Sequence, residues 1–296
     1  MKKTIKNKLQ KIIGLHELKV KNELILKNLG LLNFKFNKEK KFDKIQDYEF
    51  QTFSQFGDDG IISYLIDNLK LKNNKFIEFG VENYEEANTR FLLECFNWKG
   101  LIIDSNIDYI NYIKKQNYYW RNNLEVIHSF ITKENINLII KNCNFSSDIG
   151  VLSIDIDGND YWVWENINSV DPSIVIIEYN ARFGDELSVT IPYEKNFNRE
   201  NKGRSNIYYG ASLKALFKLA NKKNYSLICT NSNGNNAYFV KNNIMPKDHH
   251  LIKPRTPKEC FNINSFKELK DKKNNFISLT KEKEFEIINK FKLIEV

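Results

Sequence analysis

The chain has no long apolar run. Within its 296 residues, no stretch approaches the roughly 18 consecutive apolar residues that a membrane-spanning helix needs. The first residues, Met1 to Lys6, are positively charged but are not followed by an apolar core, so we expect no secretory signal. An apolar content of 42% is enough for a sizeable buried core. The sequence therefore predicts a cytoplasmic protein with one large domain or two small ones.

Cysteine and histidine are also scarce. The four cysteines are scattered and show none of the paired spacing of a metal site, which favours reduced structural thiols. Of the four histidines, His249 and His250 follow the last predicted strand in a polar loop. Either one is a candidate general base, and an ordinary surface position is the competing interpretation.

The net charge of +8 is concentrated near the N-terminus. Residues 1–45 contain 13 lysines and four acidic residues and so carry +9, whereas the remaining chain carries −1. Such a basic face suits a membrane surface or an anionic carrier lipid, and a solvated helix is the alternative. We expect peripheral membrane contact through this segment and no nucleic acid, because the rest of the chain lacks a basic surface.

Apolar residues recur at helical spacing in the first 33 residues, which predicts a helix there and a charged linker over residues 34–47. The stripe comprises Ile5, Leu9, Ile12, Ile13, Leu18, Leu24, Leu26 and Leu29. We expect this helix to be an appendage that packs on the core or on a second subunit, and the protein to be a homo-oligomer.

Five short apolar runs, rich in Ile, Val, Leu or Phe, are separated by helix-compatible sequence. They are Lys75–Gly80, Gly100–Asp104, Leu124–His128, Val151–Asp155 and Ser173–Glu178. This alternation is typical of buried parallel strands joined by crossover helices. Two further runs, at residues 226–229 and 237–240, flank an Asn233-Gly234-Asn235 turn and predict an antiparallel pair that closes the sheet.

These elements predict an α/β, Rossmann-like fold with a mostly parallel seven-stranded sheet whose last strand is antiparallel. We expect a basic helical extension and linker over residues 1–47, the α/β domain over 48–245 and a C-terminal helical extension over 246–296. The segment 182–207 shows no clear period, and loops of this length inside compact domains are usually functional lids.

Acidic residues surround a glycine at the end of the first predicted strand. Glu78, Gly80 and Glu82 lie there, and Asp104 ends the next strand. Glycine lets the backbone approach a ligand, and a carboxylate about 20 residues further on can accept hydrogen bonds from a ribose diol. A NAD site needs three glycines for the pyrophosphate, and Glu82 would repel a diphosphate but suit a cation. The pattern favours S-adenosylmethionine over NAD, and an ordinary strand–turn–helix is the alternative.

A second group of polar side chains follows the fourth and fifth predicted strands. Asp155, Asp157 and Asp160 follow the fourth strand, and Glu178 and Asn180 follow the fifth. Their oxygens suit Mg²⁺, Mn²⁺ or Ca²⁺, and we expect Asp157, Glu178 and Asn180 to be the ligands. Asp157 and Asp160 are candidates to take a proton from a reacting hydroxyl. The alternative is that Asp160 caps the next helix and Asp155 bonds to backbone.

Five segments together resemble class I S-adenosylmethionine-dependent methyltransferases, and most closely the FkbM-type and macrocin O-methyltransferase-like families, which methylate sugar hydroxyls. These segments are Ser54–Gly60, Phe76–Glu82, Asn97–Asp104, Leu152–Asp160 and Ile176–Asn180. The resemblance covers residues 48–242 and implies the class I methyltransferase fold, S-adenosylmethionine as cofactor and, in some members, a divalent metal. The chain departs from the family where the standard loop has a second glycine and this chain has Glu82.

The resemblance also implies roles for individual residues. Gln55 and Asp58 would close over the cofactor, and Ser129 and Phe130 would flank its adenine. The full cofactor-binding set would be Gln55, Asp58, Glu78, Gly80, Glu82, Asp104, Ser129, Phe130 and Asp155. A sugar platform is expected from Tyr179, Arg182, Tyr208 and Tyr209, because carbohydrates stack on aromatic faces, and core packing of the tyrosines is the alternative.

The leading hypothesis is an S-adenosylmethionine-dependent O-methyltransferase that acts on a sugar hydroxyl in bacterial surface polysaccharide (capsule or lipopolysaccharide) or glycoside biosynthesis, with or without Mg²⁺ or Mn²⁺. Its substrate would be a sugar or a nucleotide- or lipid-linked sugar. A second hypothesis is a metal-dependent glycosyltransferase, because Asp155-Ile156-Asp157 is an Asp-x-Asp motif. A third is a non-enzymatic adaptor that docks through the lysine-rich N-terminus.

Overall fold

The computed structural model describes residues 14–143, 145, 148–202, 206–264, 266–267, 269–271, 273 and 275–296, with the backbone alone at positions 15, 16 and 281. The predicted apolar stripe includes Ile5, Leu9, Ile12 and Ile13, which lie outside the described residues.

A seven-stranded sheet forms the centre of the molecule. The strands of the described chain are β1 (Lys75–Phe79), β2 (Lys99–Asp104), β3 (Leu124–His128), β4 (Asp148–Ile154), β5 (Asp171–Glu178), β6 (Val189–Thr190), β7 (Tyr225–Thr230), β8 (Asn236–Lys241) and β9 (Ile294–Glu295). The central order is β3-β2-β1-β4-β5-β8-β7. Strands β1 to β5 are parallel, and β8 is antiparallel to both of its neighbours. The predicted α/β, Rossmann-like fold, mostly parallel with an antiparallel closing strand, is confirmed.

Helices connect the strands and cover both faces of the sheet. They span Leu15–Lys38, Asp58–Leu69, Arg90–Phe96, Ile107–Ile113, Asn117–Arg121, Ile136–Asn142, Asp160–Asn166, Leu213–Lys222, Pro257–Cys260 and Lys281–Ile288. Alternate residues of each strand enter opposite cores, so that Ile77 and Phe79 lie in one cluster and Phe76 in the other. Because both faces are covered, the strands read as continuous apolar runs, and the polar groups collect at their ends.

The N-terminal helix, Leu15–Lys38, differs from the prediction in its end and in its packed face. It continues into the predicted linker as far as Lys38, and Phe34 in this added turn packs edge-on against Phe96, with ring centroids 5.0 Å apart. The predicted stripe does not pack on the core, because Leu18, Leu24, Leu26 and Leu29 are all exposed. The alternative expectation, contact with a second subunit, stays a prediction.

The C-terminal segment is less helical than predicted. In place of the expected helical extension over residues 246–296, it has the short helices Pro257–Cys260 and Lys281–Ile288 and then β9, which pairs antiparallel with β6. Two short extended segments therefore pair here through backbone hydrogen bonds. Helical periodicity in the sequence cannot predict such a pairing. Among the described residues, no helix combines the length and the apolar character needed to cross a membrane.

Candidate functional site

A cavity of about 640 Å³ opens at the carboxyl ends of β1, β2, β4 and β5. Ligands of open α/β sheets bind at this edge, beyond the strand ends. The cavity wall contains most of the acidic residues that follow these strands, together with side chains from distant parts of the chain. Ten of the residues expected from the sequence line it: Gln55, Glu78, Gly80, Glu82, Asp104, Ser129, Phe130, Asp155, Asp157 and Glu178.

The turn after β1 brings two backbone segments into close contact. Gly80 has a φ of +68°, and a Cβ at this position would lie 1.6 Å from the carbonyl oxygen of Asp155. Only glycine fits this position, because it tolerates a positive φ and has no side chain. Glu82, two residues further on, also has a positive φ, of 48°. The floor of the cavity is therefore formed by tightly apposed backbone from the ends of β1 and β4.

Asp104 holds this turn in place. One of its carboxylate oxygens accepts a hydrogen bond from the Glu82 backbone N–H at 2.8 Å, and the other accepts one from the Asn106 N–H at 2.7 Å. Partial burial raises the pKa of Asp104, and these backbone donors oppose the rise. Each carboxylate oxygen can accept a further hydrogen bond, so the residue can still bind a ligand hydroxyl at the cavity wall.

Glu78 lies deeper and joins β1 to the following helix. Its carboxylate accepts hydrogen bonds from the backbone N–H groups of Asn88 and Thr89, at 2.9 and 3.1 Å, and from the hydroxyls of Thr89 and Ser153. Burial raises the pKa of Glu78 to about 7. With so many internal partners, Glu78 can position the turn more readily than it can bind a ligand directly.

Three carboxylates converge at the ends of β4 and β5. Asp155, Asp157 and Glu178 each offer an oxygen, and these three oxygens lie within 4.8 Å of one another. The Oε2 atom of Glu178 is buried and has no hydrogen-bond partner among the described residues. Burial raises the pKa of both Asp155 and Glu178 well above the usual range. Repulsion from neighbouring carboxylates adds to the rise, chiefly from Asp157 for Asp155 and from Asp155 for Glu178. Such a cluster can bind a cation or hold a proton.

Arg199 is a site residue that the sequence reasoning missed. Its Nη1 atom lies 2.5 Å from the Asp157 carboxylate, and its guanidinium stacks 3.7 Å from the centre of the Tyr209 ring. Arg199 lies in the aperiodic segment 182–207, which was predicted to form a lid. The lack of periodicity in this segment was the only sequence feature that pointed to Arg199. Phe197 from the same segment and Phe266 and Lys267 from the C-terminal part also line the cavity without any periodic signal.

Two predicted aspartates are structural. Asp58, expected at the cofactor, is fully buried outside the cavity lining, and one of its oxygens accepts hydrogen bonds from the side chains of Asn231, Asn236 and Tyr238. Asp160, expected to take a proton, accepts hydrogen bonds from the backbone N–H groups of Ile156 and Gly158, both at 2.8 Å. Asp160 therefore shapes the preceding loop, which presents Asp157. It does not cap the following helix, whose N-cap residue is Asn159 and which has no side-chain cap hydrogen bond.

Asn180, expected as a metal ligand, does not reach the carboxylate cluster. Its amide nitrogen donates to the carbonyl oxygens of Ile207 and Tyr209, at 3.0 and 3.1 Å. Its side-chain oxygen accepts from the Arg182 N–H at 3.1 Å. Asn180 is completely buried and fixes the start of the lid segment to its end.

The predicted sugar platform is dispersed, because each of its side chains has a partner elsewhere. The Tyr179 hydroxyl donates to the carbonyl of Asn262 in the core, at 2.6 Å. Arg182 pairs with the carboxylate of Glu284 at 2.6 Å. The Tyr208 hydroxyl donates to a backbone carbonyl of the C-terminal segment, and Tyr209 lies buried under Arg199. None of the four lines the cavity.

His249 and His250 are also remote from the site. They line a second cavity, of about 390 Å³, between the end of the N-terminal helix and the core. The Nε2 atom of His249 lies 3.3 Å from the side-chain oxygen of Asn68. Partial burial lowers the pKa of His249. The expectation that either histidine serves as the general base of the main cavity is wrong.

Comparisons with known proteins give structural likeness only. No family model matches the chain, and no curated protein matches it. Similar solved structures include the N-terminal domain of EvdMO1 with SAH bound (TM-score 0.42, 11% identity, 64% of this chain and 80% of that one). They also include an O-methyltransferase from Bacillus cereus in complex with SAH (0.38, 13%, 61% and 79%) and an S-adenosylmethionine-dependent methyltransferase from Clostridium acetobutylicum (0.39, 9%, 70% and 94%). At these low TM-scores and identities, the likenesses carry no argument about activity.

Proposed function

We propose that this protein is an S-adenosylmethionine-dependent O-methyltransferase that acts on a sugar hydroxyl in bacterial surface polysaccharide or glycoside biosynthesis. The observation that carries the proposal is the acidic cavity at the carboxyl edge of a sheet with this strand order. S-adenosylmethionine supplies an electrophilic methyl group on a sulfonium cation. A wall that contains Glu82, Asp104 and Asp155 suits a cationic cofactor and disfavours a free diphosphate.

The residues of the cavity fit such a cofactor. Asp104 keeps acceptor capacity for a ribose diol after bonding to the turn. The half-exposed ring of Phe130, beside Ser129 at the end of β3, offers an apolar face for a nucleobase. The turn around Gly80 and Glu82 would border the methionine portion, where the amino group and the sulfonium are positively charged.

The cluster of Asp155, Asp157 and Glu178 supports a role at the sugar hydroxyl. A divalent cation such as Mg²⁺ or Mn²⁺ prefers carboxylate oxygens, and the buried, unpartnered Oε2 atom of Glu178 offers a free acceptor. When a metal is bound, it would lower the pKa of a coordinated hydroxyl. Without a metal, the same carboxylates could accept the proton of the reacting hydroxyl. The proposal therefore assigns activation of the sugar hydroxyl to this cluster. The Arg199 guanidinium pairs with Asp157 and keeps its carboxylate next to the other two.

An assay for S-adenosylhomocysteine formation tests the proposal. Purified protein would be incubated with S-adenosylmethionine and a panel of free, nucleotide-linked and lipid-linked sugars, with and without Mg²⁺ or Mn²⁺. We expect a methylated sugar, and a fall in rate of about 100-fold or more in the variant Glu178→Gln. Glu165→Gln, a change on the exposed side of the helix Asp160–Asn166, is the matched control and should keep full activity.

Two results would contradict the proposal. Absence of methyl transfer to every acceptor would remove the reaction. Transfer of the sugar from a nucleotide donor, without any need for S-adenosylmethionine, would favour the glycosyltransferase that the Asp155-Ile156-Asp157 motif also permits. An adaptor would show neither activity, and its function would be lost on deletion of residues 1–45.

A further inference from the structure

The N-terminal helix, Leu15–Lys38, presents a continuous row of side chains to solvent. The row, here called the outer seam, consists of Leu18, Asn22, Ile25, Leu29, Leu32 and Phe36. Its five apolar members are between 51% and 61% exposed, and Asn22 is also exposed. Single exposed apolar side chains are ordinary, but a row along most of a 24-residue helix is an apolar face that the rest of the described chain leaves uncovered.

The seam has the spacing of a coiled coil. Successive members are separated by four, three, four, three and four residues, which is the heptad alternation of a and d positions. Leu18, Ile25 and Leu32 take d positions, and Leu29 and Phe36 take a positions. The remaining a position is Asn22, and a single Asn at such a position specifies register and oligomer state.

The seam lies on the side of the helix away from the core. The opposite side packs inward through Leu31 and Phe34, which join a cluster with Phe50, Phe53 and Phe91. Ion pairs of Lys19 with Glu85, Lys27 with Glu94 and Lys38 with Asp67 attach the helix to the body of the protein. The core contact therefore leaves the seam without a packing partner among the described residues, and a partner could approach it without disturbing the sheet.

We propose that the outer seam binds the same seam of a second copy of this chain, forming a parallel two-stranded coiled coil. A parallel arrangement places Asn22 against Asn22 of the second copy, so each amide gains a hydrogen-bonding partner. An antiparallel pair centred on the seam would set Asn22 against Leu32 and leave the amide unsatisfied. In the parallel pair, the Lys21 stem also covers Leu26 of the second copy, with the ammonium group in solvent.

A lipid surface is the competing occupant, because Lys21 and Lys35 flank the seam. Two features favour the second copy. An amphipathic helix that lies on lipid needs only a broad apolar face, whereas this seam keeps strict three–four alternation over six positions. In addition, Asn22 lies within the seam, where acyl chains would provide no hydrogen-bonding partner. The inference is independent of the proposed reaction, since the seam lies outside the cavity.

Sedimentation velocity of the full chain and of matched variants tests the proposal. We expect a dimer for the wild-type protein at micromolar concentration. Ile25→Glu and Leu29→Glu, both in the seam, should weaken dimerisation at least 100-fold. Leu24→Glu, at a neighbouring residue that is 58% exposed but outside the seam, should leave it unchanged. Glutamate is a good helix former, so circular dichroism should show intact helix in every variant.

A second measurement fixes the orientation of the two helices. Oxidation of Asn22→Cys should link two chains through a disulfide, because parallel pairing brings this position close to its own copy. Leu24→Cys should not form the link. A wild-type monomer at about 100 μM, equal weakening by Leu24→Glu, or absence of the link in Asn22→Cys would each overturn the proposal. Flotation of a monomeric wild-type protein with vesicles rich in anionic lipid would likewise overturn it, in favour of a membrane surface.

Discussion

Buried carboxylates are the dominant chemical feature of this protein at the scale of single residues. Some of them are engaged in hydrogen bonds within the protein, as Asp160 is with two backbone N–H groups. Others keep free acceptor atoms at the cavity, as Glu178 does. The sequence alone cannot separate the two kinds, because both are acidic residues at strand ends. Their partners decide whether they shape the protein or serve a ligand.

Glu78 should make the stability of the protein depend on pH. Its pKa is raised from 4.5 to about 7 by burial, so the folded protein binds more protons than the unfolded chain between these values. Stability from this residue therefore falls as pH rises through that window, by about 3 kcal/mol at most. Urea unfolding from pH 4.5 to 8 should show a downward slope that is shallower in Glu78→Gln. Equal slopes for both proteins would contradict the assignment.

Glu178 should control the affinity of the site for a divalent cation. Replacing it by glutamine removes the charge and one strong oxygen ligand from the cluster of Asp155, Asp157 and Glu178. We expect calorimetric titration with Mn²⁺ to show one site in the wild-type protein and at least tenfold weaker binding in Glu178→Gln. Glu165→Gln should bind like the wild-type protein. If neither variant changes the affinity, the cation does not bind at this cluster.

The element that forms the site most directly is the turn after β1, where two strand ends are in backbone contact. Gly80→Ala should therefore destabilise the fold strongly, by about 3 kcal/mol or more, because its Cβ would collide with the Asp155 carbonyl at a positive φ. Gly184→Ala is the control, since Gly184 has a similar φ of +70° but no atom within 4 Å of the added Cβ. We expect a smaller loss, of about 1–3 kcal/mol, for the control, because its ψ of −171° lies in a backbone region that is almost exclusive to glycine. Similar thermal midpoints for the two variants would contradict this account.

The strands of the central sheet could be predicted because the apolar runs in the sequence and the rules of parallel-sheet topology point to the same arrangement. Short apolar runs that end at Gly80, Asp104 and Glu178 indicated buried parallel strands, and parallel strands bring such ends to one edge. The C-terminal strand β9 was missed because its partner β6 consists of only two residues in an aperiodic segment. Pairing between such short segments depends on contacts far apart in the chain, which local patterns do not contain.

Side-chain roles were harder to predict than strand positions. Asp58, Asn180 and His249 all lie in polar surroundings near strand or helix ends. Each has a hydrogen-bond partner in the structure, and none of the three lines the cavity. Which partner satisfies a buried polar group depends on the three-dimensional neighbourhood. The same limit applies to Arg199, whose contacts with Asp157 and Tyr209 join three separate segments.

The whole molecule combines a nearly neutral α/β body with a basic N-terminal helix whose outer seam faces solvent in the part of the chain that the structure describes. The acidic cavity and the seam lie on separate elements, so cofactor binding and self-association should be separable.

Calorimetric titration with S-adenosylhomocysteine and with a nucleoside diphosphate tests the central claim most directly. We predict micromolar affinity for S-adenosylhomocysteine, about 10- to 100-fold weaker affinity in Asp104→Asn, and no binding of the diphosphate. Absence of S-adenosylhomocysteine binding, with tight binding of the diphosphate, would contradict the account.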